Sequence, residues 1–210
     1  LDQKTHKIDS LIEKIEKKIE LLKEQKTALI NQYVTKGLNP NVEMKDSGVE
    51  WIGDIPKEWE ISKIKYLSSK ISKGTTPSTI GEKILDFGDI RYLKTENIVD
   101  WNLKIKPNFF ISKKTNELIK RSKLEENDVL VVITGAMVGN SAILKKEFTP
   151  SNTSQNVSFI RPLETCFSFL IYFWMQSNYG KISIKQKTNV SAQPSLAMED
   201  LGNLYIPIPP

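Results

Sequence analysis

The 210-residue sequence predicts an α+β fold: a long N-terminal coiled-coil helix followed by a mixed α+β domain. The first 33 residues contain neither glycine nor proline and repeat apolar side chains every seven residues. Beyond them, short β-branched runs such as residues 128–133 are interspersed with one aromatic-rich helical stretch, residues 167–175. These pieces lack regular strand–helix–strand alternation, which indicates mixed strands and helices rather than repeated βαβ units.

The helix comes first. Ile8, Ile15, Leu22 and Leu29 form one seven-residue series (d), and Ile12, Ile19, Lys26 and Tyr33 form the second (a). Together they make a seam along one face. At 1.5 Å per residue the helix would be roughly 50 Å long. A lone helix cannot bury such a stripe, so a partner helix is implied. Lys26, charged and at an a position, is costly to bury and suits a role in register or orientation. His6 falls beside the seam and is expected to be solvated. Gly37 fits a helix C-cap, and Pro40 blocks continuation. The predicted organisation is a spacer or dimerisation helix at 1–36, a connector at 37–58 docked by Trp51, Ile52 and Ile55, and a domain at 59–210.

Within the domain, Ser72-Lys73-Gly74-Thr75-Thr76-Pro77-Ser78 is a loop of small hydroxyl residues beside a lysine. A strand over residues 89–93 feeds the polar Lys94-Thr95-Glu96-Asn97. The buried strand over residues 128–133 ends in Thr134-Gly135-Ala136-Met137-Val138-Gly139-Asn140-Ser141, and Ala142-Ile143-Leu144 returns from that turn. Asn152-Thr153-Ser154-Gln155-Asn156 precedes a strand over residues 157–160. The helix over residues 167–175 places Phe167, Leu170, Ile171, Trp174 and Met175 on one face. A basic, amide-rich segment, residues 185–194, follows it, and the chain closes on Ile206-Pro207-Ile208-Pro209-Pro210.

The net charge is +5, of which the first 34 residues carry only +1. The basic excess therefore sits in the domain, a modest signal for nucleic acid. No apolar run is long enough to span a bilayer, and the amphipathic start is unlike a secretory signal. Cys166 is the only cysteine, which excludes an intramolecular disulfide and suits a reducing cytoplasm. Beside an apolar run, its thiol is expected to be buried.

The usual catalytic constellations are missing. The Gly135 to Gly139 turn has three residues between its glycines where a phosphate loop needs four, and asparagine where lysine is required. With one histidine, on the long helix, no Ser-His-Asp arrangement can be assembled in the domain. One cysteine and one histidine rule out a Cys/His metal site. Glu43-Met44-Lys45 carries the tail of some nuclease motifs without an upstream acidic partner.

These residues resemble the specificity (S) subunit of type I restriction–modification enzymes over nearly the whole chain. The helix, from Leu1-Asp2-Gln3-Lys4 to Val34-Thr35-Lys36-Gly37-Leu38, is similar to that family's spacer helix. Asp46-Ser47-Gly48-Val49-Glu50-Trp51-Ile52-Gly53-Asp54-Ile55-Pro56, with Trp59, is similar to the entry of its target-recognition domain. Gly74-Thr75-Thr76-Pro77, the turn from Ile133 to Gly139, Asn152-Thr153-Ser154-Gln155-Asn156 and the closing proline-rich run resemble recurrent recognition-domain segments.

The resemblance implies a chain without a catalytic centre that reads one half of a bipartite double-stranded DNA site. It implies no cofactor in this chain. Partner modification (M) subunits would use S-adenosylmethionine to methylate adenine, and restriction (R) subunits would use ATP and Mg. The family's full-length subunit has two recognition domains and two antiparallel helices. This sequence has one of each, which leads to the expectation of either half of a larger subunit or a half-size form paired through the seam as a homodimer. The candidate DNA contacts, chosen by chemistry and loop context, are Lys73, Thr75, Thr76, Lys94, Thr95, Asn97, Thr134, Asn152, Ser154, Gln155, Lys187, Asn189 and Gln193. The alternatives are a coiled-coil scaffold that does not read DNA, and the recognition module of a combined methylase–nuclease enzyme.

Overall fold

Every side chain of the strand Val129–Val132 is apolar, and the body is built around it. Alternation sends Val129 and Val131 to one face and Leu130 and Val132 to the other, and all four are fully buried. A strand covered on both faces reads as an unbroken apolar run, which is how residues 128–133 read. The computed structural model describes residues 2–189 and 191–210. Leu1, where the predicted helix begins, and Val190, inside the predicted basic segment, lie outside the described residues.

Among the described residues, five α-helices follow in chain order: α1 Asp2–Lys36, α2 Lys113–Leu118, α3 Thr165–Gln176, α4 Asn178–Lys187 and α5 Met198–Gly202. Val129–Val132 lies in a four-stranded antiparallel sheet between Ser141–Ile143 and Val157–Pro162, with Ser68–Lys73 beyond the latter. A second four-stranded sheet orders Phe110–Ile111, Ile90–Leu93, Ser151–Thr153 and Lys123–Leu124, with its central pair parallel. One core, including Leu93, Leu124, Leu130, Phe148 and Phe159, links residues of both sheets. A second joins Val129, Val131 and Ile160 to Ile171, Trp174 and Met175 of α3 and to the root of α1 at Val34, and a smaller third gathers Ile90, Tyr92, Ile111 and Ile119. The final strand, Tyr205–Ile208, pairs with Glu60–Lys63 and so ties the two ends of the domain together.

Helix α1 leaves this body. Residues 3–26 are all exposed, and contact comes through Ile30, Val34 and Thr35, the last two buried. The Asn178 N–H also donates to Asn31 Oδ1 at 2.8 Å. The helix stops where Gly37 takes a φ of 72°, a left-handed conformation open to glycine without steric cost. Within residues 37–58 the chain folds back on itself. Met44–Asp46 and Asp54–Pro56 pair as a hairpin, and Val49, Ile52 and Ile55 enter the core shared with α3. Trp51 Nε1 donates to Ser183 Oγ at 2.7 Å, pinning the hairpin to α4.

One expectation is corrected at α3. Cys166 is exposed, because it lies in the first turn of the helix on the side away from Ile171 and Trp174. The other notable interior feature is ionic. Asp128 is wholly buried and receives Arg161 Nε on Oδ1 and Nη2 on Oδ2, each at 2.9 Å. The Glu125 N–H adds a third bond to Oδ2 at 2.8 Å, and Arg161 Nη2 also donates to the Lys123 carbonyl at 3.0 Å. The network ties the edge strand of one sheet to two strands of the other.

Candidate nucleic-acid interface

The polar loops predicted from the sequence converge because of strand register. Lys73, the last residue of its strand, stands opposite Ser158, and Val132 stands opposite Val157. The loops leaving these strands therefore share one end of the sheet. Gly74 N–H donates to Val157 O at 3.2 Å and Thr75 N–H to Thr153 O at 3.2 Å. Ser154 N–H reaches Leu93 O at 3.0 Å, which brings in the Lys94–Asn97 segment. Ile133 N–H reaches Asn156 O, Leu196 N–H reaches Ile133 O and Gly135 N–H reaches Pro194 O, each at 2.8 or 2.9 Å, adding the loop around Asn189 and Gln193. Only glycine fits at position 74, since a Cβ there would lie 1.8 Å from Thr153 O.

Exposure divides the candidates. Lys73, Gln155, Lys187, Asn189 and Gln193 are exposed, while Thr75, Thr76, Lys94, Thr95 and Thr134 are half-buried at the same end. Asn97, Asn152 and Ser154 are buried and do not present their side chains to a ligand. Asn97 accepts from Lys94 N–H at 3.0 Å and donates to Lys104 O and Pro107 O at 3.1 and 2.9 Å. Asn152 donates to Asn116 Oδ1 at 3.0 Å and Ile119 O at 3.3 Å and accepts from Thr153 N–H at 2.8 Å. Both amides satisfy internal backbone and side-chain groups, and exposing them would leave those partners unpaired.

Lys94 is engaged as well. Its Nζ lies 2.7 Å from Glu96 and 4.2 Å from the Phe109 ring centroid. Partial burial pushes the Glu96 carboxyl up. Hydrogen bonds from Lys94, the Glu96 backbone and Thr95 outweigh that and hold it below the ordinary carboxylate value. The Glu96 carboxylate therefore stays ionised through neutral pH.

A cleft of about 400 Å³ adjoins this end, between the Gly135–Gly139 turn, α4 and Trp101. Sequence reading did not single out Trp101 or Lys181, and it noted Lys185 only as the start of the basic segment. The four-residue spacing of the two lysines became legible once residues 178–187 proved helical.

A second surface lies on α1. Ile8, Ile12, Ile15, Ile19, Leu22, Leu29 and Tyr33 are between 40% and 56% exposed, and Lys26 is exposed among them. Where the seam meets the body, Leu29 and Tyr33 face Trp59, Phe169 and Phe173 across a groove of about 1250 Å³. Among the described residues, no group of three or more His, Cys, Asp or Glu side chains is placed to hold a metal, and no helix is long and apolar enough to cross a membrane.

A polar, loop-bearing sheet end carried on a helical arm with an unpartnered seam is the form of a recognition module on a spacer. The chain belongs to the type I restriction modification DNA specificity domain family, whose description matches residues 56–210. It is 26% identical over 210 residues to the type I restriction enzyme MjaVIII specificity subunit of Methanocaldococcus jannaschii, covering 96% of this chain and 47% of that one. It is 30% identical over 100 residues to the EcoBI specificity subunit of Escherichia coli, covering 47% of this chain and 21% of that one.

Among solved structures, it resembles a chain from work on complex assembly and conformational transition of the type I R-M system. The TM-score is 0.54 at 18% identity, over 98% of this chain and 46% of the other. The HsdS subunit from Thermoanaerobacter tengcongensis gives 0.50 at 18% identity, over 97% and 45%. These likenesses show the shared fold of long helix and mixed domain. The chain spans less than half the length of the curated relatives it matches.

Proposed function

We propose that this chain supplies one recognition domain and one spacer helix of a type I specificity subunit. The domain reads one half of a double-stranded DNA target, without chemistry of its own. The observation that carries this reading is the convergence of Lys73, Thr75, Thr134, Gln155, Asn189 and Gln193 on one sheet end, in a chain of this family. Exposed lysines attract the duplex through phosphates. Exposed amides and hydroxyls read base edges, each good bidentate contact being worth about 1–3 kcal/mol of discrimination.

The α1 seam holds the domain at a set distance from a second helix, which in a half-size form comes from a second copy of this chain. M subunits, with S-adenosylmethionine, and R subunits, with ATP and Mg, supply methylation and cleavage. The cytoplasm is the setting of the reading.

Selection from a random duplex pool at physiological salt, with and without the M subunit, tests it. Enrichment of a short motif, or of that motif as a spaced palindrome, is the expected result. No enrichment with the M subunit present would instead favour a coiled-coil scaffold, the reading that the unpartnered seam independently supports.

A further inference from the structure

The strands Ile98–Val99 and Asn102–Leu103 are joined by a two-residue turn, Asp100-Trp101, with φ of 50° and 63°. Such turns favour Asn-Gly, because both central residues are left-handed, and a tryptophan in the second position is strained. Its surroundings hold it there. The Trp101 carbonyl accepts from the Tyr172 hydroxyl at 2.7 Å, and Lys181 Nζ stands 5.6 Å from the ring centroid.

The indole forms one wall of the cleft beside the polar loops. The opposite wall is the glycine turn, pressed onto α4 so closely that a Cβ on Gly139 would lie 3.2 Å from Ile184. The lining contains Lys181, Lys185 and Asn140 but no carboxylate. Among the described residues, neither lysine has an ion-pair partner. Four residues apart on one helix face, the two lysines have their Cβ atoms about 6 Å apart. Successive phosphates of one DNA strand rise about 3.4 Å along the axis and also turn around it, so their separation through space exceeds the rise, and two flexible side chains rooted this far apart can each take one of a neighbouring pair. The cleft also shares the Pro194–Gly135 contact with the loop that carries Gln193.

We propose that this cleft holds the sugar–phosphate backbone of bound duplex DNA, with Lys181 and Lys185 on successive phosphates and the Trp101 ring against the intervening sugar. This rests on the DNA-reading function proposed above. It makes these three residues positioning groups, which set the register of the duplex against the loops without reading bases themselves.

The test compares wild type with Lys181→Gln/Lys185→Gln, and separately with Asp100→Asn/Trp101→Gly, which restores the favoured turn sequence while deleting the ring. Binding of the selected duplex is measured across a salt series in the presence of the M subunit. The double lysine variant should lower the slope of log affinity on log salt by about 2 and weaken binding roughly tenfold to a hundredfold, with base preference unchanged. The turn variant should weaken binding with little change of slope. An unaltered slope in the lysine variant, or an altered base preference, overturns the assignment. If wild type itself shows neither salt-dependent nor sequence-dependent binding, the DNA reading fails, and this assignment fails with it.

Discussion

Asp128 and Arg161 show how much one residue pair can hold. A carboxylate with no solvent exposure survives only because two guanidinium nitrogens and a backbone N–H saturate it. Arg161→Met should therefore lower unfolding stability in urea by about 3–5 kcal/mol, and adding Asp128→Leu should recover most of it. An unchanged urea midpoint in the single variant would show that the pair carries no such weight.

Gly74 acts through space rather than charge. A methyl group at 1.8 Å from Thr153 O must push the Lys73–Thr76 loop off its neighbour. Gly74→Ala should cost about 1–3 kcal/mol and displace Lys73 and Thr75 from the interface. Wild-type stability together with wild-type motif selection would mean the loop is not seated there.

At the scale of elements, α1 is the least self-sufficient part. Its seam is exposed along its length, and a stripe of this kind is stabilised only by a partner. For two copies, the spacing selects an orientation. Run antiparallel, Ile8 meets Tyr33, Ile12 meets Leu29, Ile15 meets Lys26 and Ile19 meets Leu22, so each a position faces a d position about a centre between Glu20 and Leu21. Run parallel in register, Lys26 faces its own copy and like charges repel.

In a Cys166→Ser background, Ile12→Cys with Leu29→Cys should cross-link two copies, while Ile12→Cys alone should not. Cross-linking by Ile12→Cys alone would show parallel pairing. Lys26→Ile should tighten self-association roughly tenfold or more by sedimentation, since it replaces a desolvated charge with a buried apolar side chain. Unchanged association would place Lys26 outside the contact.

Across the whole molecule, legibility followed the range of the forces involved. The helix, its seven-residue seam and its end at Gly37 are local, set by spacing and by one glycine, and were readable from the chain alone. So was the strand at residues 129–132, because burial on both faces leaves an unbroken apolar run. The family resemblance was legible as well, since it rests on short runs of sequence.

The site was legible only as a set of loops. Asn97 and Asn152 have the same composition signature as Asn189 and Gln193. Their roles separate only once distant carbonyls at Lys104, Pro107 and Ile119 close around the first two. Cys166 sits beside an apolar run and yet is exposed, because helical phase, not neighbourhood, decides which side faces the core. Trp101 became a candidate only when a hairpin of two-residue strands laid it against α4.

The α+β class, the N-terminal helix and the doubly covered strand were thus written in the chain alone, because periodicity and turn chemistry act over a few residues, whereas the helix over residues 178–187 and the hairpins at 44–56 and 98–103 emerged only from packing. Which polar groups are spent inside and which remain available to a ligand depends on the assembled fold, because hydrogen-bond satisfaction is settled between residues far apart in the chain.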